Sequence, residues 1–127
     1  MTASVHDRIQ ELTQPMLRQK LYVVLSTPKA APETLTPHLP AHLEYMIGLE
    51  RDGVLFASGP LTSPGGGPRG EGLTILRVGS AEEAAKIAQR DPFYVNGLRD
   101  FDIKEWTLME GSLRLRVNYS DQSIALE

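Results

Sequence analysis

The stretch from Leu39 to Leu61, LPAHLEYMIGLERDGVLFASGPL, limits this chain's folding options more than any other. It reads as a helix that turns back through two residues into a strand. At roughly 100° per residue, Leu39, Leu43, Met46, Ile47 and Leu49 share one arc, and Glu44, Gly48 and Arg51 fall opposite. The helix is expected to begin near Pro37 or Leu39. It should stop at Asp52-Gly53, a stop signal and a turn in one. Val54 to Ala57 continues as a strand, which Gly59-Pro60 should end. One residue is out of character: His42 falls inside the apolar arc, beside Met46 and Leu49. It should face a sheet, or a pocket over a sheet, rather than bulk water.

The other segments fit around this unit. Lys20 to Ser26 is rich in branched and aromatic residues and predicts a strand. Leu21, Val23 and Leu25 face one side and Tyr22, Val24 and Ser26 the other. Both sides are mostly apolar, which places the strand centrally. Thr27 to Pro37 carries three prolines and reads as a loop. Thr62 to Gly72 is a flexible glycine-rich loop. It lacks the lysine of a phosphate-binding loop, so a nucleotide site is not supported. Leu73 to Val78 predicts a third strand. Ser80 with Glu83 forms a capping box for a helix whose Ala81, Ala84, Ala85, Ile87 and Ala88 present a face of mostly small residues. Asp91-Pro92 restarts the chain as a cap and first helical residue, and Gly97 ends a short turn over Phe93 to Asn96. Phe101 to Met109 predicts a fourth strand. Its facing changes phase between Ile103 and Trp106, for which a bulge near Lys104 or Glu105 would account.

Two segments lie outside this order. Ser4 to Leu17 reads either as a short amphipathic helix, with Val5, Ile9, Leu12 and Met16 at steps of three and four, or as a mobile leader. Ser112 to Tyr119 alternates cleanly between apolar and polar and predicts an extra C-terminal strand, which needs a surface or an edge to pair with.

Strand, helix, strand, strand, helix, strand is the ferredoxin-like βαββαβ order: α+β, with both helices on one face of an antiparallel sheet. The open face is expected to carry part of Tyr22, Val24, Phe56 and Ile75. An exposed apolar face seeks a cover, and a second copy of the sheet is the simplest one, so a homodimer or higher homo-oligomer is expected.

Composition excludes several functions. The 127 residues include 13 basic and 16 acidic ones, a net charge of −3, so no basic excess exists to meet nucleic-acid phosphates. No cysteine is present, which removes disulfides, thiolate nucleophiles and cysteine metal sites. No apolar run suits a membrane helix, and the N-terminus lacks a signal-peptide core. The expectation is a cytoplasmic protein with no nucleic-acid or membrane partner.

Several of these residues together resemble the YciI-like family, also called the YCII-related domain. They are the strand Leu21-Tyr22-Val23-Val24-Leu25, the helix start Pro40-Ala41-His42-Leu43 and the Gly53 turn. The set continues with Ala57-Ser58-Gly59-Pro60-Leu61, Ser80-Ala81-Glu82-Glu83-Ala84, the triplet Asp91-Pro92-Phe93 and the strand up to Trp106. The resemblance covers about residues 20 to 110, leaving 1–19 as an N-terminal extension and 111–127 as a C-terminal strand and tail. It implies a dimeric α/β barrel of ferredoxin-like subunits, similar to muconolactone isomerase. It also implies a His–Asp pair, here His42 and Asp91, near a small-molecule pocket. One family member is a dehydrochlorinase acting on a chlorinated hydroxyquinol.

The implied chemistry is general acid/base catalysis. A histidine takes and returns protons near neutral pH, and a carboxylate on one ring nitrogen fixes its tautomer and raises its basicity. Lyase, isomerase or dehydrochlorinase-like reactions of this type need no cofactor. Ser58, at the end of its strand, is a third candidate, able to bond substrate or His42. Tyr22, Phe93 and Met46 are candidate pocket residues. His38 and His42 sit at a metal-pair spacing, but Pro40 between them and the lack of any HExxH pattern argue against a metal. Arg69 and Arg77 are candidate anion binders, with solvated charge the plainer reading. Two alternatives share the cleft: a non-catalytic oligomeric module that binds a metabolite or partner, and a cofactor-free monooxygenase-like protein.

Overall fold

The computed structural model describes residues 4–67 and 69–127. In chain order its elements are α1 (Val5–Thr13), β1 (Gln19–Pro28), a 3-10 turn (Pro32–His38), α2 (Leu39–Arg51), β2 (Leu55–Leu61), β3 (Glu71–Leu76), α3 (Ala81–Gln89), α4 (Pro92–Val95), β4 (Arg99–Leu108), β5 (Leu115–Val117) and β6 (Ile124–Leu126). They form two compact units: Lys20–Thr107, and Met1–Gln19 together with Leu108–Glu127. Residues 1–3 of the expected N-terminal extension and Pro68 of the expected glycine-rich loop lie outside the described residues.

The larger unit has the ferredoxin-like arrangement. Its antiparallel sheet runs β2-β3-β1-β4. The strand with two apolar faces, β1, is interior, as its composition requires. It pairs with β3 in the register Tyr22↔Leu76, Val23↔Ile75 and Val24↔Thr74. The core under the helices is built on Tyr22, Val24, Leu76 and Ala84, with Leu49, Ile87, Phe101 and Ile103 packed against it. Ala84 has no exposed surface; its single methyl is what lets α3 sit so close to the strands.

This core corrects the expected facing. Tyr22 and Val24 point to the helices, not to the open side. Ile75, paired with Val23, takes the other side. So does Phe56, which meets Trp106 edge to face at 6.3 Å while the Arg77 guanidinium lies 5.0 Å over its ring. The phase change of β4 follows from these two environments. Phe101 and Ile103 pack on the helix-side core, Lys104 and Glu105 are exposed, and Trp106 turns to Phe56.

Several local details differ from expectation. The strand β2 runs through Gly59-Pro60 to Leu61. Because β2 is an edge strand, the N–H that Pro60 lacks is not needed by a second neighbour. The segment expected as a loop before α2 holds the 3-10 turn, entered through Pro32, whose fixed φ suits it. There Thr34 closes the turn by donating its hydroxyl to the Ala31 carbonyl at 2.6 Å. At α3, Ser80 accepts from the Glu83 amide at 3.2 Å as a capping box requires, but the Glu83 carboxylate accepts from Gly79 instead, at 3.0 Å.

In the smaller unit the helix reading of the N-terminal segment holds. Ser4 and Asp7 cap α1 reciprocally, at 3.0 and 3.2 Å. The C-terminal strand is shorter than its alternation suggested. Only Leu115–Val117 pairs, with β6, in the register Leu115↔Leu126 to Val117↔Ile124. One further backbone bond extends the pairing at each end, from Asn118 N–H to the Ser123 carbonyl at 2.9 Å and from Glu127 N–H to the Arg114 carbonyl at 3.0 Å; Tyr119, beyond them, is 97% exposed.

Candidate active site

His42 sits in the first turn of α2, and Asp91 is the N-cap of α4. Asp91 is positioned by its own sequence. The residue before a proline is driven out of helical geometry, and Asp91 accordingly has φ −60 and ψ 128. That extended backbone turns its carboxylate onto the start of α4, where Oδ1 accepts from the Phe93 amide at 3.0 Å. The same carboxylate lies 2.9 Å (Oδ1) and 3.0 Å (Oδ2) from His42 Nδ1. Asp91 is 8% exposed, the one buried charged side chain among the described residues. An ionised carboxylate only accepts hydrogen bonds, so Nδ1 is the donor, and in the neutral ring Nε2 carries the free lone pair. Among the described residues Nε2 has no protein partner, and no side-chain N or O atom is both buried and unpaired. Nε2 therefore opens to the space beside it.

Phe93 fixes the ring's other degree of freedom. It is 2% exposed and stacks on His42 with centroids 4.3 Å apart and planes 18° from parallel. The Arg99 guanidinium lies 4.6 Å from the same ring's centre. Arg99 begins β4 and donates Nε–H to the Gly70 carbonyl at 2.8 Å. Burial lowers its pKa from the ordinary value, and the nearby Asp91 charge opposes that shift. Two glycines adjoin it, of which Gly70 is the strict requirement. A Cβ on Gly72 would stand 3.1 Å from Arg99 Nη1 and 3.3 Å from Nη2. Gly70 has φ +86, and a Cβ there would come within 2.9 Å of Leu35.

These groups border a cavity of about 650 Å³, within the size range of small-molecule sites. His42, Phe93, Arg99, Ser58 and Thr74 supply its polar and aromatic lining, and Leu39, Leu43, Met46 and Ile47 give it an apolar wall from α2. The apolar arc read from the sequence is therefore divided in use. Leu49 packs on the core, whereas Leu39, Leu43 and Ile47 line the cavity and stay 41%, 48% and 50% exposed. Behind the pair lies a separate void of about 20 Å³, bordered by Asp91, Arg99, Ser26 and Thr74, large enough for one water.

Of the candidate site residues, His42 and Asp91 meet, and Phe93 and Met46 line the cavity with His42. Ser58 lines it too, but its hydroxyl bonds the Thr74 hydroxyl at 2.9 Å rather than His42. Tyr22 belongs to the core and is not part of this lining. Arg69 is an exposed lining residue. Arg77 lies over Phe56 and donates to the Leu55 carbonyl at 3.1 Å, away from the cavity. Sequence reasoning missed Arg99, Thr74 and the two glycines. The alternating polar residues of β4 hid Arg99, and only three-dimensional pairing brings Gly72 beneath it. Among the described residues, no group of three or more His, Asp or Glu is placed to hold a metal ion.

A ferredoxin-like sheet with a buried histidine–aspartate pair opening on an apolar cavity defines a class of small α+β proteins. The chain belongs to the YCII-related domain family, whose pattern matches residues 20–107. It is 32% identical over 71 residues to the uncharacterized protein YjpA of Bacillus subtilis (strain 168), covering 56% of this chain and 78% of that one. Its fold is similar to that of 5-chloro-2-hydroxyhydroquinone dehydrochlorinase (TftG) from Burkholderia phenoliruptrix AC1100, solved in complex with 2,5-dihydroxybenzoquinone. That likeness has a TM-score of 0.60 at 20% identity and covers 68% of this chain and 93% of the other. No helix among the described residues is long and apolar enough to cross a membrane.

Proposed function

We propose that this protein is a small-molecule enzyme in which His42 moves a proton and Asp91 holds it in the productive tautomer. The observation that carries this reading is the geometry of one side chain. Nδ1 is committed to both Asp91 oxygens at 2.9 and 3.0 Å, and His42 lines a cavity of about 650 Å³. A base with a free Nε2 can take a proton from a bound carbon acid, and Asp91 stabilises the imidazolium that forms. Returning the proton elsewhere completes an isomerisation. Alternatively the C–H electron pair forms a double bond while a leaving group departs with its own pair, an elimination of the lyase or dehydrochlorinase type. Neither course requires a cofactor.

The substrate on this reading is a small cyclic or aromatic compound, seated with one face on the α2 wall. The fold neighbour's dehydrochlorinase name and its dihydroxybenzoquinone ligand support that class. Ser58 and Thr74, already bonded to each other, would present their hydroxyls to a polar substituent. The protein would act in the cytoplasm as a homodimer. Light scattering at micromolar concentration tests the dimer, and a monomer would contradict it.

A panel of hydroxylated and chlorinated quinols, followed by chloride release and absorbance, tests the reaction. Turnover by wild type that disappears in His42→Ala, with ligand binding retained, is the expected result. Binding without turnover by wild type favours the non-catalytic metabolite-binding alternative.

A further inference from the structure

We propose that Arg99 receives the negative charge that proton removal places on a substrate oxygen, so that the substrate is an enolisable carbonyl compound or its phenolic counterpart. This inference rests on the proton-transfer reading of His42 and adds where the charge goes. Three observations carry it. First, the one hydrogen bond Arg99 makes among the described residues is from Nε–H to the Gly70 carbonyl, at 2.8 Å. Nη1 and Nη2 have no acceptor among the described residues, and no carboxylate of those residues lies within 4.0 Å of the guanidinium. Second, those two nitrogens lie against Gly72, itself part of the cavity lining, where any side chain would crowd them. Third, imidazole and guanidinium both sit against Phe93, at 4.3 and 4.6 Å from its centre, so at most about 9 Å separates them. Both also line the same cavity.

The electron count closes with these groups alone. Nε2 of His42 takes a proton from a carbon beside a carbonyl. The C–H pair becomes the new carbon–carbon double bond, and the carbonyl π pair moves onto oxygen. Imidazolium is then paired with Asp91, and the enolate oxygen accepts from Nη1–H and Nη2–H of Arg99. A planar fork of donors is the geometry that recognises such an oxygen, and a half-buried donor gains strength from the lower dielectric around it. Glu50, Glu71 and Arg69 also border the cavity, but all three are exposed, where solvent screens them.

The test is an equilibrium one on the full chain, independent of turnover. 4-Nitrophenol ionises near neutral pH and its phenolate is yellow. Adding wild-type protein below the ligand's own ionisation should raise the phenolate absorbance, reporting a preference for the anion of roughly ten- to a hundred-fold. Arg99→Met should abolish that preference, and Arg99→Lys should restore part of it. His42→Ala should keep it. Circular dichroism checks each variant's fold; if Arg99→Met does not fold, a preference weakened by Arg99→Lys decides in favour. No phenolate enrichment with wild type, or full enrichment in both Arg99 variants, overturns the proposal. So does enrichment lost only in His42→Ala. Enrichment that depends on Arg99 in a protein with no turnover supports the anion site while removing the reaction assigned to His42.

Discussion

Replacing Asp91 with asparagine separates structural from chemical roles at the site. The carboxylate accepts from His42 Nδ1 with both oxygens and from the Phe93 amide with Oδ1. Asparagine keeps one oxygen, so the cap on α4 survives. Its amide group, however, brings a donor to within 3.0 Å of Nδ1, itself a donor. Relief comes if the imidazole shifts its proton to Nε2, so that Nδ1 accepts. A charge-assisted bond of about 1.5–3 kcal/mol is then exchanged for a neutral one of about 1 kcal/mol. The net loss is about 1 kcal/mol, which moves the Tm of a domain this size by about 3–6 °C. On the proposed reading the chemistry suffers far more, because Nε2 now carries a proton and cannot act as a base. A general-base contribution of about 10²–10⁴-fold should be lost. Asp91→Ala removes the cap as well, and should cost about 2–4 kcal/mol. The assay pairs thermal unfolding with turnover on any substrate found. Asp91→Asn with full activity, or with a stability loss as large as that of Asp91→Ala, would refute this reasoning.

Other consequences are smaller and separate. Gly72→Ala should leave stability within about 1 kcal/mol, since the flexible end of Arg99 can yield a few tenths of an ångström, yet should weaken binding of anionic ligands measured by calorimetry. Tyr45→Phe removes the 2.7 Å bond from the Tyr45 hydroxyl to the Ile87 carbonyl. That carbonyl keeps the Arg90 amide, so the loss should be about 0.5–1.5 kcal/mol in a denaturant titration. At the β5–β6 turn, bonds from Ser123 hold the Asp121 carboxyl below its ordinary value of 3.8. Its depressed pKa stabilises the turn above the ordinary value, and that contribution is lost as pH falls through the folded value. The Ser123 amide resonance should therefore shift in acid, and an amide insensitive to pH there would contradict it.

Much of the fold was legible because the period of apolar residues is a local property. The two-faced β1, the arc of α2 and the alanine face of α3 each declare their burial. What sequence left open was which face meets which layer. Tyr22 and Val24 were indistinguishable from Leu21 and Val23 until β3 fixed the register. Pro60 looked like a strand end because its position at the sheet edge is a tertiary fact. For the site, the helical phase of His42 and the Asp91-Pro92 cap were both readable, but their meeting required the fold and was first suggested by family resemblance. Arg99 was not readable at all. Its significance depends on glycines at 70 and 72, distant in sequence, and on a phenylalanine it shares with His42.

On the proposed reading, His42 transfers a proton to and from a bound carbon acid. Deuterium exchange observes that step without knowledge of the full reaction. A panel of cyclic hydroxyketones and quinols is incubated with the full chain in heavy water, and label is read by mass spectrometry. Label at one ring carbon is expected with wild type, and none above background with His42→Ala that still binds the same compound. Equal labelling by the two proteins would contradict it.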